Sequence, residues 1–289
     1  MDASEILKKV RKIEIKTKGL SKHIFSGEYH SAFKGRGMSF SEVRDYQYGD
    51  DVRNIDWNVT ARTGDPHIKV FEEDRELTVM LVIDISRSSF FGSVNQFKSE
   101  LTAEIAAVIA FSAINNNDKV GAILFTDTVE KYIPPKKGKK HILRIIREII
   151  YFEPVTKGTN LSEALIYLNN IQKKRSIVFI LSDFMTSGYE SALSIATKRH
   201  DIIGLHIYDG MEKQLPNIGL IKSIDAETGN EVIINTSSQK VRNNYNKWFD
   251  DNYNYFDNVF NRHRSDHLSI DTGKDYVKSL LQFFKKRGR

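Results

Sequence analysis

Residues 77–83 read Leu-Thr-Val-Met-Leu-Val-Ile, an apolar run too continuous for a strand with one wet face. A strand of that composition needs cover on both sides, which is the environment of a parallel sheet wrapped by helices. Similar runs recur at residues 176–183, Ser-Ile-Val-Phe-Ile-Leu-Ser-Asp, and at 201–209, Asp-Ile-Ile-Gly-Leu-His-Ile-Tyr-Asp. Helical periods fall between them. Phe97, Leu101, Ile105, Val108 and Phe111 form one stripe, and Ile142, Ile145, Ile146, Ile149 and Ile150 form another. Two more helices are expected, one opening after Gly158-Thr159 and one from Tyr189 to Arg199. Strands alternating with helices predict an α/β fold of Rossmann-like type, with a doubly wound, mainly parallel sheet and right-handed crossovers. The segment from Lys119 to Pro134, broken by Asp127-Thr128, predicts a hairpin at one edge of that sheet.

The flanks read differently. Residues 1–76 hold an amphipathic helix, roughly Ala3 to Thr17, then glycine-punctuated polar and aromatic stretches, so this part is expected to be a helix with a small β-rich subdomain. Residues 77–289 are expected to form the main domain with a helical C-terminal extension. Within it, a hairpin turns at Thr228-Gly229-Asn230. A long helix follows, packing through Val241, Tyr245, Trp248 and Phe249, then a short strand at His267–Thr272 and a helix from Tyr276 to Lys286.

Composition removes several function classes. The chain has no cysteine, which excludes disulfides, thiolate metal sites and cysteine nucleophiles. No apolar stretch reaches spanning length and the N-terminus lacks the uninterrupted core of a signal peptide, so the expected location is the cytoplasm. The net charge of +6 concentrates at Lys131–Arg147 and Lys285–Arg289. Neither run interleaves aromatic residues as a nucleic-acid groove does, so both read as solvated surface. Nucleic acid is not an expected partner, and a peripheral contact with an anionic membrane is left open.

The functional edge of an open parallel sheet is the row of loops beyond the carboxyl ends of its strands. Three loops there carry oxygen-bearing side chains: Asp84, Ser86 and Ser88 after the first strand, Thr159 before a helix, and Asp183 after a later strand. Residues two apart in an extended segment point the same way, so Asp84, Ser86 and Ser88 can present their oxygens together. Two carboxylates and three hydroxyls without nitrogen or sulfur make a hard donor set, suited to Mg2+, Mn2+ or Ca2+ rather than to zinc or copper. Each residue also has a plain local role available. Asp84 and Ser86 can close an Asx turn, Ser88 can cap a helix, and Asn160 with Glu163 can form a capping box beside Thr159.

Asp-Ile-Ser-Arg-Ser, the threonine of Gly-Thr-Asn-Leu and the aspartate of Ser-Asp-Phe resemble, in order and spacing, the metal-ion-dependent adhesion site (MIDAS) of von Willebrand factor A domains. That resemblance implies a von Willebrand factor A-like fold that binds protein ligands through a divalent cation, with Ser86, Ser88 and Thr159 as direct ligands and Asp84 and Asp183 direct or water-mediated. The string from Phe40 to Arg62, with its Arg-x-Tyr-x-x-Gly-Asp-Asp-x-Arg-x-Ile-Asp-Trp core, together with Ile68–Asp74, Asp209–Pro216 and Asp225–Gly229, resembles the bacterial domain-of-unknown-function family numbered fifty-eight. This resemblance spans roughly residues 19–235 and implies a MoxR-type AAA+ ATPase as partner. Two departures stand out. Longer relatives carry N-terminal membrane helices not seen here, and Gly210 stands where an Asp-Pro is usual.

The expectation is therefore a non-enzymatic binding module that engages an acidic residue of a partner. The alternative is a metal-dependent phosphoester hydrolase on the same type of fold. A dehalogenase-like phosphatase would need a general acid two residues after Asp84, where Ser86 stands. No phosphate-binding Gly-rich loop or nucleophile elbow occurs. His263 and His267 are spaced as i and i+4 of a helix but lack the glutamate and third ligand of a zinc site. Arg44, Asp50, Asp51, Arg53, Asp56 and Arg62, set among Tyr46, Tyr48 and Trp57, read as an ion-pair network that docks the small subdomain rather than as an active site.

Overall fold

The structure, a computed structural model, describes residues 11–17, 39–72, 76–90, 97–156, 158–224 and 231–287. The chain forms two compact units, Phe33–Glu76 and the remainder. In the smaller, β1 (Ser39–Asp45) pairs antiparallel with β2 (His67–Glu72), and α1 (Trp57–Thr63) lies between them in sequence. The Asp56 carboxylate accepts from the amides of Asn58 and Val59 to cap α1, and Gly64 ends the helix at φ 87°, a left-handed conformation that suits glycine. The ion pairs described here are internal to the unit. Arg44 holds Asp50 through two hydrogen bonds of 2.8 and 2.9 Å, Arg53 holds Asp51, and Lys69 lies 3.5 Å from Asp56.

The larger unit contains β3 (Thr78–Asp84), α2 (Lys98–Asn115), β4 (Lys119–Phe125), β5 (Val129–Lys136), α3 (Lys139–Tyr151), α4 (Leu161–Ile171), β6 (Ile177–Ser182) and α5 (Glu190–Arg199). It continues through β7 (Asp201–Tyr208), α6 (Gly210–Lys213), β8 (Leu220–Ile224), β9 (Glu231–Asn235), α7 (Gln239–Arg262), β10 (Asp266–Asp271) and α8 (Tyr276–Arg287). Six strands make one sheet in the order β10-β7-β6-β3-β4-β5, all parallel except β5, which returns from β4 as the expected edge hairpin. The fold class read from the apolar runs is the fold observed. Strands β8 and β9 form a separate antiparallel pair, and the turn expected between them lies outside the described residues.

Burial explains why the central runs are apolar throughout. Met80, Val82, Val178 and Ile180 join one core with residues of α4, α5 and α7. Phe179, pointing the other way, packs edge-on against Phe284 of α8. Each strand therefore serves two layers, and alternation of polar with apolar residues is lost. Gly204 on β7 marks the closest approach of α7, since a Cβ there would fall 2.6 Å from the Phe260 ring.

Three expectations are corrected. The helix at residues 11–17, read as part of the small subdomain, groups with the larger unit, where Lys16 meets Glu104 at 2.6 Å and Glu14 meets Lys139 at 2.5 Å. Helix α7 buries Phe249, Phe256, Val259 and Phe260, whereas Trp248 is 50% exposed. Its C-terminal half, rather than its first turns, lies on the sheet. His263 caps the end of α7 and His267 belongs to β10, where it pairs with Asp257 at 2.9 Å. The helix ends between the two histidines, so they share no helical face.

Beneath α7, His206 of β7 stacks on Tyr208 with ring centroids 5.1 Å apart and faces Phe249, Tyr253 and Phe256. Burial pushes its pKa down to about 4. An unfolded chain takes up this proton near pH 6.5, so the contribution is fully present above that pH and is lost as pH falls toward 4. The expected loss across this window is about 3 kcal/mol. His206→Phe should flatten the acid side of the stability profile, measured by chemical denaturation in chelator between pH 7 and 4. An unchanged slope would show that the imidazole is not buried neutral.

Candidate functional site

Strand order places the site. Chain connectivity reverses direction between β3 and β6, because β3 is followed by β4 on one side and β6 opens the other half of the sheet. Crevices at such reversals, beyond the carboxyl ends, are where open α/β sheets bind ligands. Asp84 ends β3 and Ser182 ends β6, and the Ser182 hydroxyl donates to Asp84 Oδ2 at 2.7 Å across this point. The other carboxylate oxygen, Oδ1, accepts from the Ser86 amide at 2.9 Å, which closes the Asx turn foreseen in the sequence. The turn places the hydroxyls of Ser86 and Ser88 3.0 Å apart.

Asp183 enters from the next loop. Its Oδ1 accepts from the Met185 amide at 3.3 Å. Phe184 adopts φ 50°, costly for a bulky residue, and its amide donates to the Ser182 hydroxyl at 3.0 Å. Packing holds this strained turn, because the buried Phe184 ring lies 4.4 Å from Phe256 and 5.5 Å from Phe260. Asp84, Ser86 and Ser88 are thus joined by direct hydrogen bonds, and the Ser182 hydroxyl links Asp84 to the turn that carries Asp183.

Thr159 comes from a third loop, clamped by the β4–β5 hairpin. Glu130 Oε1 accepts from the amides of Val155 and Thr156, Asp127 Oδ2 accepts from the Gly158 amide, and the Asn160 amide donates to the Thr126 carbonyl. A Cβ on Gly158 would lie 2.2 Å from Asp127 Oδ1, so the clamp requires glycine there. Asn160 caps α4 through the Glu163 amide. The Thr186 hydroxyl donates to the Thr159 carbonyl at 3.2 Å, joining this loop to the one that carries Asp183.

One member of the cluster was not foreseen. Lys98, the first residue of α2, is 2% exposed, and its ammonium donates to Asp183 Oδ2 at 2.9 Å and to Glu212 Oε1 at 2.6 Å. Glu212 belongs to a capping box at the start of α6, where it accepts from the Asp209 amide. A signal was present in the sequence. Lys98 stands three, four and seven residues before Leu101, Thr102 and Ile105, all of them buried, and so occupies the inward stripe of its helix. Asp84, Ser89, Lys98, Thr102, Ser182 and Asp183 together line a small pocket.

The electrostatics follow from burial. Burial and the neighbouring Asp183 push the Asp84 carboxyl up to about 6. Burial acts the same way on Asp183 but is outweighed by Lys98, so its pKa is lowered. Burial disfavours the charge on Lys98, yet Asp183 and Glu212 more than offset this, and its pKa is raised. The buried cluster thus holds three acids, Asp84, Asp183 and Glu212, against one ammonium, which pairs with Asp183 and Glu212. That imbalance in a buried cluster favours a second cation.

The donor set suits a hard ion. Two ligands at right angles on Mg2+ lie about 2.9 Å apart when its bonds are 2.0–2.1 Å. The Ser86 and Ser88 hydroxyls stand at 3.0 Å. Among the described residues no three His, Cys, Asp or Glu side chains are disposed to hold one metal ion, so the candidate site depends on its hydroxyls.

A family model described as "Protein of unknown function DUF58" matches residues 42–254. Uncharacterized proteins of Mycobacterium tuberculosis (Rv1480) and Mycobacterium bovis (Mb1516) are each 30% identical over 232 residues, covering 79% of this chain and 73% of the relative. Among solved structures, the conserved hypothetical protein BatB from Bacteroides thetaiotaomicron aligns over 73% of this chain and 98% of its own, with 17% identity and a TM-score of 0.46. The SpRpn10 VWA domain aligns over 72% of this chain and 96% of its own, with 12% identity and a TM-score of 0.39.

Proposed function

Because this chain belongs to the DUF58 family of proteins of unknown function, we propose that its von Willebrand factor A-like unit is a non-enzymatic protein-binding module working through a divalent-cation adhesion-type site. The hydroxyls of Ser86, Ser88 and Thr159 would hold Mg2+, or Mn2+ or Ca2+, directly, with Asp84 and Asp183 ligating directly or through water. A cation held mainly by neutral hydroxyls keeps much of its charge and attracts a carboxylate from outside. The residues around it supply rigidity. Ser182 and the Ser86 amide fix Asp84, Lys98 fixes Asp183, and the hairpin clamp fixes the Thr159 loop. The observation that carries the reading is the Ser86–Ser88 hydroxyl pair, set beside two buried carboxylates at the point where the sheet reverses.

The partner would present an aspartate or glutamate to the site, and the partner class proposed is a MoxR-type AAA+ ATPase, supported by family resemblance alone. Among the described residues no helix is long and apolar enough to cross a membrane. Calorimetric titration of Mg2+ and Mn2+ should give saturable heat with the wild type and none with Asp84→Ala, and equal heats in both would remove the metal assignment. Capture of a MoxR-type ATPase from the same organism should depend on the metal and fail in chelator. Release of phosphate from an aryl phosphate in Mg2+ would instead overturn the non-enzymatic reading.

A further inference from the structure

Lys98 is the least expected charge in the molecule. An ammonium at the first position of a helix meets the positive end of the helix dipole, and at 2% exposure it also gives up most of its water. Nothing in helix formation favours it there. What holds it is a pair of carboxylates from two different segments, Asp183 in the loop after β6 and Glu212 in α6, at 2.9 and 2.6 Å. The contact is therefore specific to the cluster rather than a by-product of packing.

We propose that Lys98 is the resident counter-cation of the adhesion-type site and sets how tightly the site holds a metal ion. This inference rests on the metal reading above. By taking up Asp183 Oδ2, the ammonium removes one carboxylate's charge from the metal's side while leaving Asp84 and the hydroxyls in place. Glu212 tunes this effect from the opposite side, because it divides the ammonium's attention between two acids. A site so neutralised binds its ion less tightly and leaves it more electrophilic toward an incoming carboxylate. The same ammonium keeps the carboxylates compatible with burial when no metal is bound.

The two partners predict opposite effects, which a purely structural role would not produce. Lys98→Met frees Asp183 and removes a nearby positive charge, so Mn2+ affinity should rise by about tenfold or more. Glu212→Gln leaves the lysine wholly on Asp183, so Mn2+ affinity should fall. Free Mn2+ can be counted by electron paramagnetic resonance during titration of wild type and both variants, with thermal melts recorded alongside. The metal-free Lys98→Met protein should melt lower than wild type and recover more on adding Mn2+. Affinities that stay equal, or that weaken in both variants, would overturn the proposal. If Lys98→Met does not fold, Glu212→Gln decides alone: weaker Mn2+ binding supports the proposal, and unchanged or tighter binding overturns it. Absence of Mn2+ binding by wild type and variants alike would instead remove the metal reading, and this inference with it.

Discussion

Asp84→Asn is expected to abolish divalent-cation binding and, at the same time, to make the metal-free protein more stable at neutral pH. The carboxylate is 4% exposed, and burial together with Asp183 pushes its pKa up to about 6. Keeping it ionised at pH 7.5 costs about 3 kcal/mol relative to an unfolded chain. The amide retains the shape and one acceptor, while the donors at Ser86 and Ser182 compete for it. After the weakened hydrogen bond is subtracted, the gain should be about 1–2 kcal/mol, a rise of roughly 3–5 °C in melting temperature. Sign and pH window can be checked together. A carboxyl whose folded pKa is raised makes the fold less stable as pH climbs from the unfolded pKa to the folded one, so the advantage of Asp84→Asn should be absent near pH 4, grow between pH 4 and 6, and be complete above pH 6. This slope opposes that of His206, so the variant should also be more acid-sensitive than wild type. A variant that is less stable at pH 7.5 in chelator would show Asp84 to be a structural turn residue.

Phe256→Ala should have the largest effect on stability. The ring is fully buried and touches Phe184, Phe260, His206 and His267. Truncations of this kind cost about 3–5 kcal/mol, here a fall of roughly 10 °C in melting temperature. The consequence should reach the site, because Phe184 holds its unfavourable φ of 50° by packing on this ring and Asp183 directly precedes it. Metal affinity should therefore drop in the folded fraction, although Phe256 supplies no polar atom to the cluster. A variant that melts lower yet binds metal like wild type would show that the turn is set by its own hydrogen bonds.

Periodicity alone determined much of this protein. Continuous apolar runs demand strands covered on both faces, isoleucine and leucine stripes demand helices between them, and the polar residues that end those runs must then collect along one edge of the sheet. Asp84, Ser86, Ser88 and Asp183 were legible for that reason. Contacts between residues far apart in sequence carry no such local imprint. Strand order, the union of Lys98 with Asp183 and Glu212, the grip of Asp127 and Glu130 on the loop before Thr159, and the docking of residues 11–17 on the larger unit were decided only in three dimensions. A lysine on an inward helical stripe signals that it needs an acid. Which acid it finds depends on chain crossings that pattern does not encode, and the charge balance of the site is set by that choice.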